Sequence, residues 1–230
     1  MRRAELITSI AATIGAIRRP HPLRVAITGI SAAGKSTLAD ELSVALAPCG
    51  RPTYRCEFDD FHTPGYKWRS VREEWTPQLY WDEGYDYQAF RRFVLEPLAP
   101  GGERRCRFAL FSSYHDAFLP EVWIDVAENG IVIADGGLLL HPSLAGAWDF
   151  VIWLEIDEET VLARAKIRDS AWASDVTAIE RRYRTYHLPV HRMYVASGAR
   201  ERPDVFVHNR EPANPMVEWQ RSPPGQSVTL

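Results

Sequence analysis

Apolar positions along the chain form short strand-like runs that are separated by longer amphipathic stretches. The strand-like runs fall at residues 23–28, 53–58, 130–135, 150–156 and 204–208. The runs at 130–135 and 150–156 are apolar on both faces, which is typical of strands in a parallel sheet covered by helices. Strands that alternate with helices through short connections predict a doubly wound α/β fold with a mainly parallel sheet.

The amphipathic stretches predict the helices of this fold. They cover residues 37–46, 88–98 and 158–169, and a further charged helix starts near residue 176. Near the N-terminus one helical face is formed by Leu6, Ile10, Ile14 and Ile17. Residues 1–20 therefore predict an amphipathic helix that packs either on the domain or on a second subunit. The second alternative would make the protein a homo-oligomer.

Three segments depart from this alternation. Residues 61–87 mix aromatic residues with Pro, Gly and charges, and a stretch of that length without a period is often a functional loop. Residues 105–111 predict an excursion strand, with a loop through 112–120. Four prolines and polar residues after position 210 predict a mobile tail over residues 211–230 and a single domain over residues 1–210.

The aromatic residues of the 61–87 loop have two interpretations. They are packing residues of a core or loop, or they form a stacking wall for a flat acceptor. The set comprises Trp68, Trp75, Trp81, Tyr85 and Tyr87.

Composition restricts the classes of partner. A chain of 230 residues with 46% hydrophobic content can bury one sizeable core, and its net charge of −3 gives no argument for a nucleic acid or an anionic membrane as partner. No apolar run approaches the roughly 20 residues of a membrane span. Three cysteines without metal-ligand spacing indicate a reducing compartment, so we expect a cytoplasmic protein.

The strongest motif lies between the first strand and the first helix of the fold. Gly29, Gly34, Lys35 and Ser36 match the pattern G-x-x-x-x-G-K-[ST] without a mismatch. Such a loop points backbone N–H groups at phosphate oxygens, its lysine reaches the β- and γ-phosphates, and its serine ligates Mg²⁺. The predicted ATP-binding residues are Gly29, Ser31, Ala32, Ala33, Gly34, Lys35, Ser36 and Thr37.

Carboxylates end two of the predicted strands, where open α/β sheets bind their ligands. Asp135 is expected to complete the Mg²⁺ site with Ser36, although an aspartate before two glycines can also cap a helix. Asp59 and Asp60 follow the second strand. Either could take a proton from a hydroxyl acceptor, or could simply cap a turn.

The order of the motifs resembles that of uridine kinases and the wider uridine kinase/phosphoribulokinase group. The matching segments are residues 29–37, 58–62, 80–87, 131–140, 148–154, 162–169, 186–194 and 202–209. This resemblance implies a P-loop kinase that uses ATP and Mg²⁺, with a lid helix and a small substrate-binding excursion.

The resemblance also implies roles for individual residues. Asp59 matches the aspartate that takes the proton from the sugar 5′-hydroxyl, and His62 stands where an aromatic residue lies near the nucleobase. Asp82 matches the aspartate that holds the ribose hydroxyls. Arg164 and Arg168 match the arginine-rich lid helix, whose charges offset those of the transferring phosphoryl group.

The chain also departs from that family. Residues 111–113 read Phe-Ser-Ser in place of Tyr-Asp-Phe, while His115 corresponds to a histidine that follows in the family. Ala165 replaces the second lid arginine, and the lid tip is missing. An arginine of the next helix is a candidate replacement, from the set Arg181, Arg182 and Arg184.

These observations predict an ATP- and Mg²⁺-dependent kinase for a primary hydroxyl of a small molecule, with the 5′-OH of uridine or cytidine favoured. A second hypothesis keeps the kinase and changes the acceptor to a sugar phosphate, a pantothenate-like alcohol or an intermediate of a specialised pathway. A third is a nucleotide-dependent switch, because a P-loop fold alone does not fix function.

Overall fold

The computed structural model describes residues 1–66, 69, 72, 74–171 and 175–220. Trp68 of the aromatic set and residues 221–230 of the predicted tail lie outside the described residues.

A six-stranded sheet in the order β10–β9–β8–β1–β7–β2 forms the centre of the fold. Its strands are β1 Leu23–Gly29, β2 Thr53–Glu57, β7 Ile131–Asp135, β8 Phe150–Glu155, β9 Val205–His208 and β10 Met216–Trp219. All neighbouring pairs are parallel except β10 with β9. The predicted α/β fold with a mainly parallel sheet is therefore confirmed.

Helices cover both faces of this sheet. They are α1 Arg3–Ala16, α2 Lys35–Ala45, α3 Pro77–Glu83, α4 Tyr87–Phe90, α5 Glu158–Asp169, α6 Val176–Arg182 and α7 Leu188–Ala196. Wide helical turns at Arg91–Leu95 and Tyr183–His187 extend α4 and join α6 to α7. Short 3₁₀ turns lie at Ala47–Cys49, Phe58–Phe61, Pro142–Leu144 and Ala199–Glu201.

Alternating residues of the strands supply two separate apolar cores. In β1, Val25 and Ile27 belong to the core that includes α1 and α2, whereas Ala26 belongs to the aromatic core on the other face. This is the period of two expected for a strand that is buried on both sides. Leu6 and Ile10 are fully buried in the first core. The N-terminal helix thus packs on its own domain, one of the two alternatives for its apolar face.

The excursion contains two short strand pairs, whereas the sequence predicted one strand over residues 105–111. Arg105–Cys106 (β3) pairs with Ile124–Asp125 (β6), and Phe111–Ser112 (β4) pairs with Ala117–Phe118 (β5). Residues 107–110 carry no strand, because their backbone groups bond to other parts of the chain. Leu110 N, for example, donates to Asp60 O at 3.2 Å.

Residues 61–87 contain more regular structure than the sequence predicted. Helix α3 lies within this segment, with Pro77 in its first turn and the Thr76 hydroxyl accepting from Leu79 N at 3.1 Å. The Thr-Pro pair is a signal for the N-terminus of a helix. The helical spacing of apolar residues after it was not recognised, because the helix is short and aromatic residues surround it.

The sheet also continues past residue 210. Met216–Trp219 forms β10, with Met216 opposite His208, so this part of the predicted tail belongs to the folded domain. Across the part of the chain that the structure describes, no helix has the length and apolar character needed to cross a membrane.

Candidate active site

The loop between β1 and α2 has the backbone of a phosphate cradle. Gly29 and Gly34 have φ values of +126° and +92°, in the region that favours glycine. A Cβ at Gly29 would lie 2.0 Å from Leu154 O of β8, so no larger residue fits there. The two glycines of the motif are therefore required by the backbone itself.

A network of side chains holds the backbone carbonyl groups of this loop. Asn209 Nδ2 donates to Ala33 O at 2.7 Å, and Arg3 Nη1 donates to Asn209 Oδ1 at 3.2 Å. Arg3 is itself held by Glu41 of α2 through an ion pair of 2.6 Å. Arg164 adds bonds to the carbonyl oxygens of Ala32, Asn209 and Arg210.

Lys35 directs its ammonium group into the curl of the loop. Its Nζ donates to Ile30 O at 2.9 Å. Burial lowers the pKa of Lys35 to about 8, against the opposing charge of Asp59. Lys35 forms no ion pair with the described residues, so a polyphosphate bound in the loop would complete the surroundings of its ammonium group.

Ser36 and Asp135 meet at the carboxyl end of β7, as predicted for a Mg²⁺ site. Ser36 Oγ donates to Asp135 Oδ2 at 2.6 Å, and Asp135 is 3% exposed. Burial raises the pKa of Asp135, although the Ser36 hydroxyl opposes the shift. Asp135 Oδ1 makes no hydrogen bond of regular geometry to the described residues, and its partner is an ion pair with Arg55.

This donor set fits Mg²⁺, which prefers hard oxygen ligands and retains several waters. No group of three or more His, Cys, Asp or Glu with the geometry of a metal site occurs in the described residues. Ser36 and Asp135 would therefore hold the ion together with phosphate oxygens, as in a P-loop site.

Arg55 is a charged residue of this site that the sequence analysis missed. It lies on β2, beside β7, and its Nη2 is 2.8 Å from Asp135 Oδ1. The guanidinium offsets the charge of a carboxylate that is otherwise buried. An arginine in the middle of a strand-like run was the available signal, because a buried strand seldom carries a charge without a partner.

Asp59 lies in the 3₁₀ turn Phe58–Phe61, directly after β2, and lines the same cavity as Lys35. Its Oδ1 accepts from Tyr85 OH at 3.0 Å and lies 3.8 Å from His62 Nε2. The side chain remains 65% exposed, so a ligand can still reach the carboxylate. This geometry suits a base that is held in place by a neighbour.

His62 is enclosed by aromatic rings. Tyr66 and Tyr85 stack on its two faces at centroid distances of 3.8 Å and 4.1 Å, and its Nδ1 lies 2.8 Å from Gly84 O. Burial lowers the pKa of His62, so the ring is neutral. His62 lines the cavity, as the resemblance implied, and it also supports Tyr85 beside Asp59.

Two arginines face the cavity from opposite sides of one buried carboxylate. Arg168 Nε donates to Asp169 Oδ1 at 2.8 Å, and Arg182 Nη2 lies 2.5 Å from Asp169 Oδ2. Asp169 is only 2% exposed. Arg168 also donates to Tyr183 OH at 2.6 Å.

Of the three candidates for the missing lid arginine, Arg182 is the one among the cavity-lining residues. Arg184 instead pairs with Glu180 of its own helix.

Three of the four residues predicted to bind the substrate lie outside the cavity lining. Asp82 is exposed on α3 and accepts from Gln78 Nε2 at 2.8 Å. His115 is exposed, while its neighbours Ser113 and Tyr114 line the cavity. Arg164 bonds to backbone carbonyl oxygens behind the loop. The structure does not bring these side chains together with Asp59 and Lys35.

The cavity between these elements has a volume of about 390 Å³. Phosphate-loop residues and the arginines line one part of it. Tyrosines, histidines and apolar residues line the remainder, including Tyr66, Tyr80, Tyr85, Leu138, His187, Val190, His191 and Tyr194. The lining thus combines charged groups suited to a polyphosphate with aromatic and neutral polar groups.

The Tyr85 hydroxyl gives a direct test of how Asp59 is positioned. We expect Tyr85→Phe to lower kcat about tenfold, because one hydrogen bond to a charged carboxylate is lost while the ring packing stays. The acceptor KM should change less than kcat. Steady-state kinetics with Tyr80→Phe as the control checks this, since the Tyr80 hydroxyl donates to that of Tyr85 at 3.5 Å and, among the described residues, makes no hydrogen bond to Asp59. Equal kcat values for wild type and Tyr85→Phe would contradict the positioning role.

Comparison with known proteins gives structural similarity without sequence similarity. No family model and no curated protein sequence matches the chain. A candidate uridine kinase from Bacillus stearothermophilus superposes with a TM-score of 0.68 at 17% identity, covering 88% of this chain and 97% of that one. The fold is that of the uridine kinase-like P-loop kinases.

Two further P-loop kinase structures have this fold. A candidate fructose transport system kinase from Silicibacter sp. TM1040 superposes with a TM-score of 0.67 at 25% identity, covering 85% of this chain and 95% of that one. A D-glycerate 3-kinase from Cryptococcus neoformans gives 0.51 at 12% identity, covering 80% and 89%. The P-loop kinases that resemble this chain thus carry names with three different acceptors.

Proposed function

We propose that this protein is an ATP- and Mg²⁺-dependent kinase that phosphorylates a primary hydroxyl of a small molecule, with the 5′-OH of uridine or cytidine as the favoured acceptor. One observation carries the proposal: Lys35, Asp59 and Arg168 line a single cavity. A phosphate-binding lysine, a reachable carboxylate and a cation around one space are the parts that phosphoryl transfer to an alcohol requires.

Each residue has a distinct part in the transfer. The loop amides and Lys35 bind the β- and γ-phosphates, and Arg168 and Arg182 offset the charge on the transferring group. Ser36 and Asp135 would hold Mg²⁺, which when bound neutralises charge on the phosphate oxygens. Asp59 orients the acceptor hydroxyl and receives its proton as the oxygen bonds to the γ-phosphorus and the bond to the leaving ADP oxygen breaks.

Acceptor-dependent ADP release from MgATP tests the proposal. The panel comprises uridine, cytidine, other nucleosides, ribulose 5-phosphate and pantothenate. Stimulation of ADP release by uridine or cytidine alone supports a pyrimidine nucleoside as the acceptor. ADP release that needs no acceptor contradicts the kinase and favours the nucleotide-dependent switch.

A different acceptor is the second candidate, and the position of Asp82 favours it. That carboxylate lies outside the cavity lining, so it does not hold a ribose diol in this conformation. Residues 111–113 read Phe-Ser-Ser where the family has the Tyr-Asp-Phe motif that helps shape the pyrimidine pocket. Stimulation by a non-nucleoside alone would establish this alternative.

We also propose a cytoplasmic location and a small molecule as the partner. Cys49, Cys56 and Cys106 are free, and the last two are buried. Free thiols fit a reducing compartment.

The pKa of Lys35 predicts how ATP binding depends on pH. Below about pH 8 the ammonium is charged in the free protein, and above it the amine is neutral. Because the charged form binds phosphate, ATP binding at pH 9 should take up close to one proton, whereas binding at pH 7 should take up almost none from Lys35. Calorimetry in two buffers of different ionisation enthalpy measures the uptake. Equal uptake at the two pH values would contradict the assignment.

A further inference from the structure

Two histidines of the cavity lining have no part in the proposed transfer. His187 ends the turn Tyr183–His187, and His191 lies in α7, which begins at Leu188. The spacing of four residues in a continuous helical segment places both side chains on one face, one turn apart. Both line the cavity.

The imidazole nitrogens of these two residues make no hydrogen bond to the described residues. His187 contacts the rings of Tyr80, Tyr183 and Tyr186, at centroid distances of 5.5, 4.6 and 4.3 Å. His191 lies 5.8 Å from the ring of Trp153. Polar atoms in such surroundings usually have a partner, so these nitrogens are suited to bind a ligand.

Both rings are neutral. Burial lowers the pKa of His187 well below its usual range, with Arg182 and Arg168 adding to the shift. Burial also lowers the pKa of His191 to about 4. A neutral imidazole offers one donor and one acceptor, which suits hydroxyl, carbonyl or amide groups better than an anion.

The charges around the cavity disfavour an anionic acceptor. Among the described lining residues the cations are Lys35, Arg168 and Arg182, and Asp169 contacts both arginines. Lys35 and the arginines are required for the phosphates of ATP. A second phosphate or a carboxylate on the acceptor would therefore lie beside ATP without a cation of its own.

We infer that His187 and His191 are specificity-determining residues that hydrogen-bond an uncharged acceptor bearing hydroxyl or carbonyl groups. This inference rests on the proposed kinase function and assigns the recognition of the acceptor to this helix face. It gives the cavity lining the neutral polar groups that orient a flat or ring-shaped molecule.

Substitutions of matched shape test the assignment. His187→Phe and His191→Phe keep a ring and remove the polar nitrogens, whereas His187→Asn and His191→Gln keep a donor and an acceptor. We expect each Phe variant to raise the KM for uridine or cytidine about tenfold, as for the loss of one buried hydrogen bond. The KM for MgATP should stay within about twofold. The amide variants should recover part of the acceptor affinity.

A control and a spectroscopic readout separate recognition from a structural effect. His141→Phe replaces another buried histidine, which packs on Trp81 and Tyr87 outside the cavity lining, and should leave both KM values unchanged. In wild-type protein loaded with a non-hydrolysable ATP analogue, uridine should change the ¹⁵N NMR chemical shifts of two imidazole rings. Each Phe variant should lack the shifted resonances of the histidine that it replaces.

The outcomes distinguish this inference from the proposed function. Wild-type turnover of uridine or cytidine with an unchanged acceptor KM in the double Phe variant overturns the histidine assignment alone. Turnover of ribulose 5-phosphate or pantothenate in preference to every uncharged acceptor overturns the inference and leaves the kinase in place. Turnover with no acceptor at all overturns both.

Discussion

Substituting asparagine for Asp59 is expected to lower kcat about a thousandfold while leaving the affinity for MgATP unchanged. The carboxylate is the group that receives the proton of the acceptor hydroxyl in the proposed transfer. An amide keeps the volume and can still accept from Tyr85 OH, which bonds to Asp59 at 3.0 Å. Steady-state kinetics together with ATP titration by fluorescence or calorimetry measures both effects.

Asp60→Asn is the matched control for this experiment. Asp60 is the next residue of the same 3₁₀ turn and is not among the cavity-lining residues. Burial and the nearby charge of Glu57 raise the pKa of Asp60 to about 6. Removing this carboxyl therefore tests whether turnover depends on a carboxyl of raised pKa near the site. Full activity of Asp59→Asn, or an equal loss in Asp60→Asn, would contradict the role of Asp59 as the base.

Lys35→Ala is expected to reduce kcat/KM on the order of ten-thousandfold, to the limit of detection. The substitution removes the ammonium that would contact the β- and γ-phosphates, and the transition state concentrates charge there. ATP affinity should fall as well, in contrast to Asp59→Asn. Single-turnover assays at saturating MgATP separate the loss in binding from the loss in transfer.

Lys166→Ala provides the comparison for the lysine substitution. Lys166 pairs with Glu180 at 2.5 Å and does not line the cavity, so we expect near wild-type kinetics. Lys35→Ala with more than a tenth of wild-type kcat/KM would contradict the assignment of the phosphate site.

The sequence predicted the part of the site that depends on local chain geometry. The loop from Gly29 to Ser36 requires its glycines for reasons of backbone conformation alone, so the motif predicts its own shape. Asp135 and Asp59 were found because the carboxyl ends of parallel strands meet at one edge of a sheet. The structure brings Ser36 and Asp135 together as predicted.

Contacts that depend on packing between distant segments were not predicted from the sequence. Tyr85 was named only as one of the aromatic set and Arg182 only as one of three lid candidates, yet Tyr85 bonds to Asp59 across 26 positions and Arg182 to Asp169 across 13. His187 and His191 drew no attention because a histidine on a helix gives no local signal of the surface it faces. Such contacts follow from the packing of α3, α6 and α7 around the cavity.

Asp82 and His115 show the limit of reasoning from a resemblance. A matching motif transfers the type of residue at a position, while the direction of its side chain depends on the local backbone. Asp82 lies on α3, a helix that the sequence analysis did not predict, and its carboxylate lies on the outer face. The diol role of Asp82 and the substrate role of His115 have no support from these positions.

The link from Arg3 through Asn209 to Ala33 joins the first helix, the segment after β9 and the phosphate loop. Its two hydrogen bonds join residues that are 206 and 176 positions apart in the chain, yet a change at one residue leaves a donor or an acceptor of another without a partner. In homologous sequences, positions 3, 41 and 209 are therefore expected to covary, and statistical coupling in an alignment would measure it. The sequence of this loop thus evolves together with residues near both ends of the chain. A chimera that exchanges only one end should keep the motif and lose the hydrogen bonds that hold the loop.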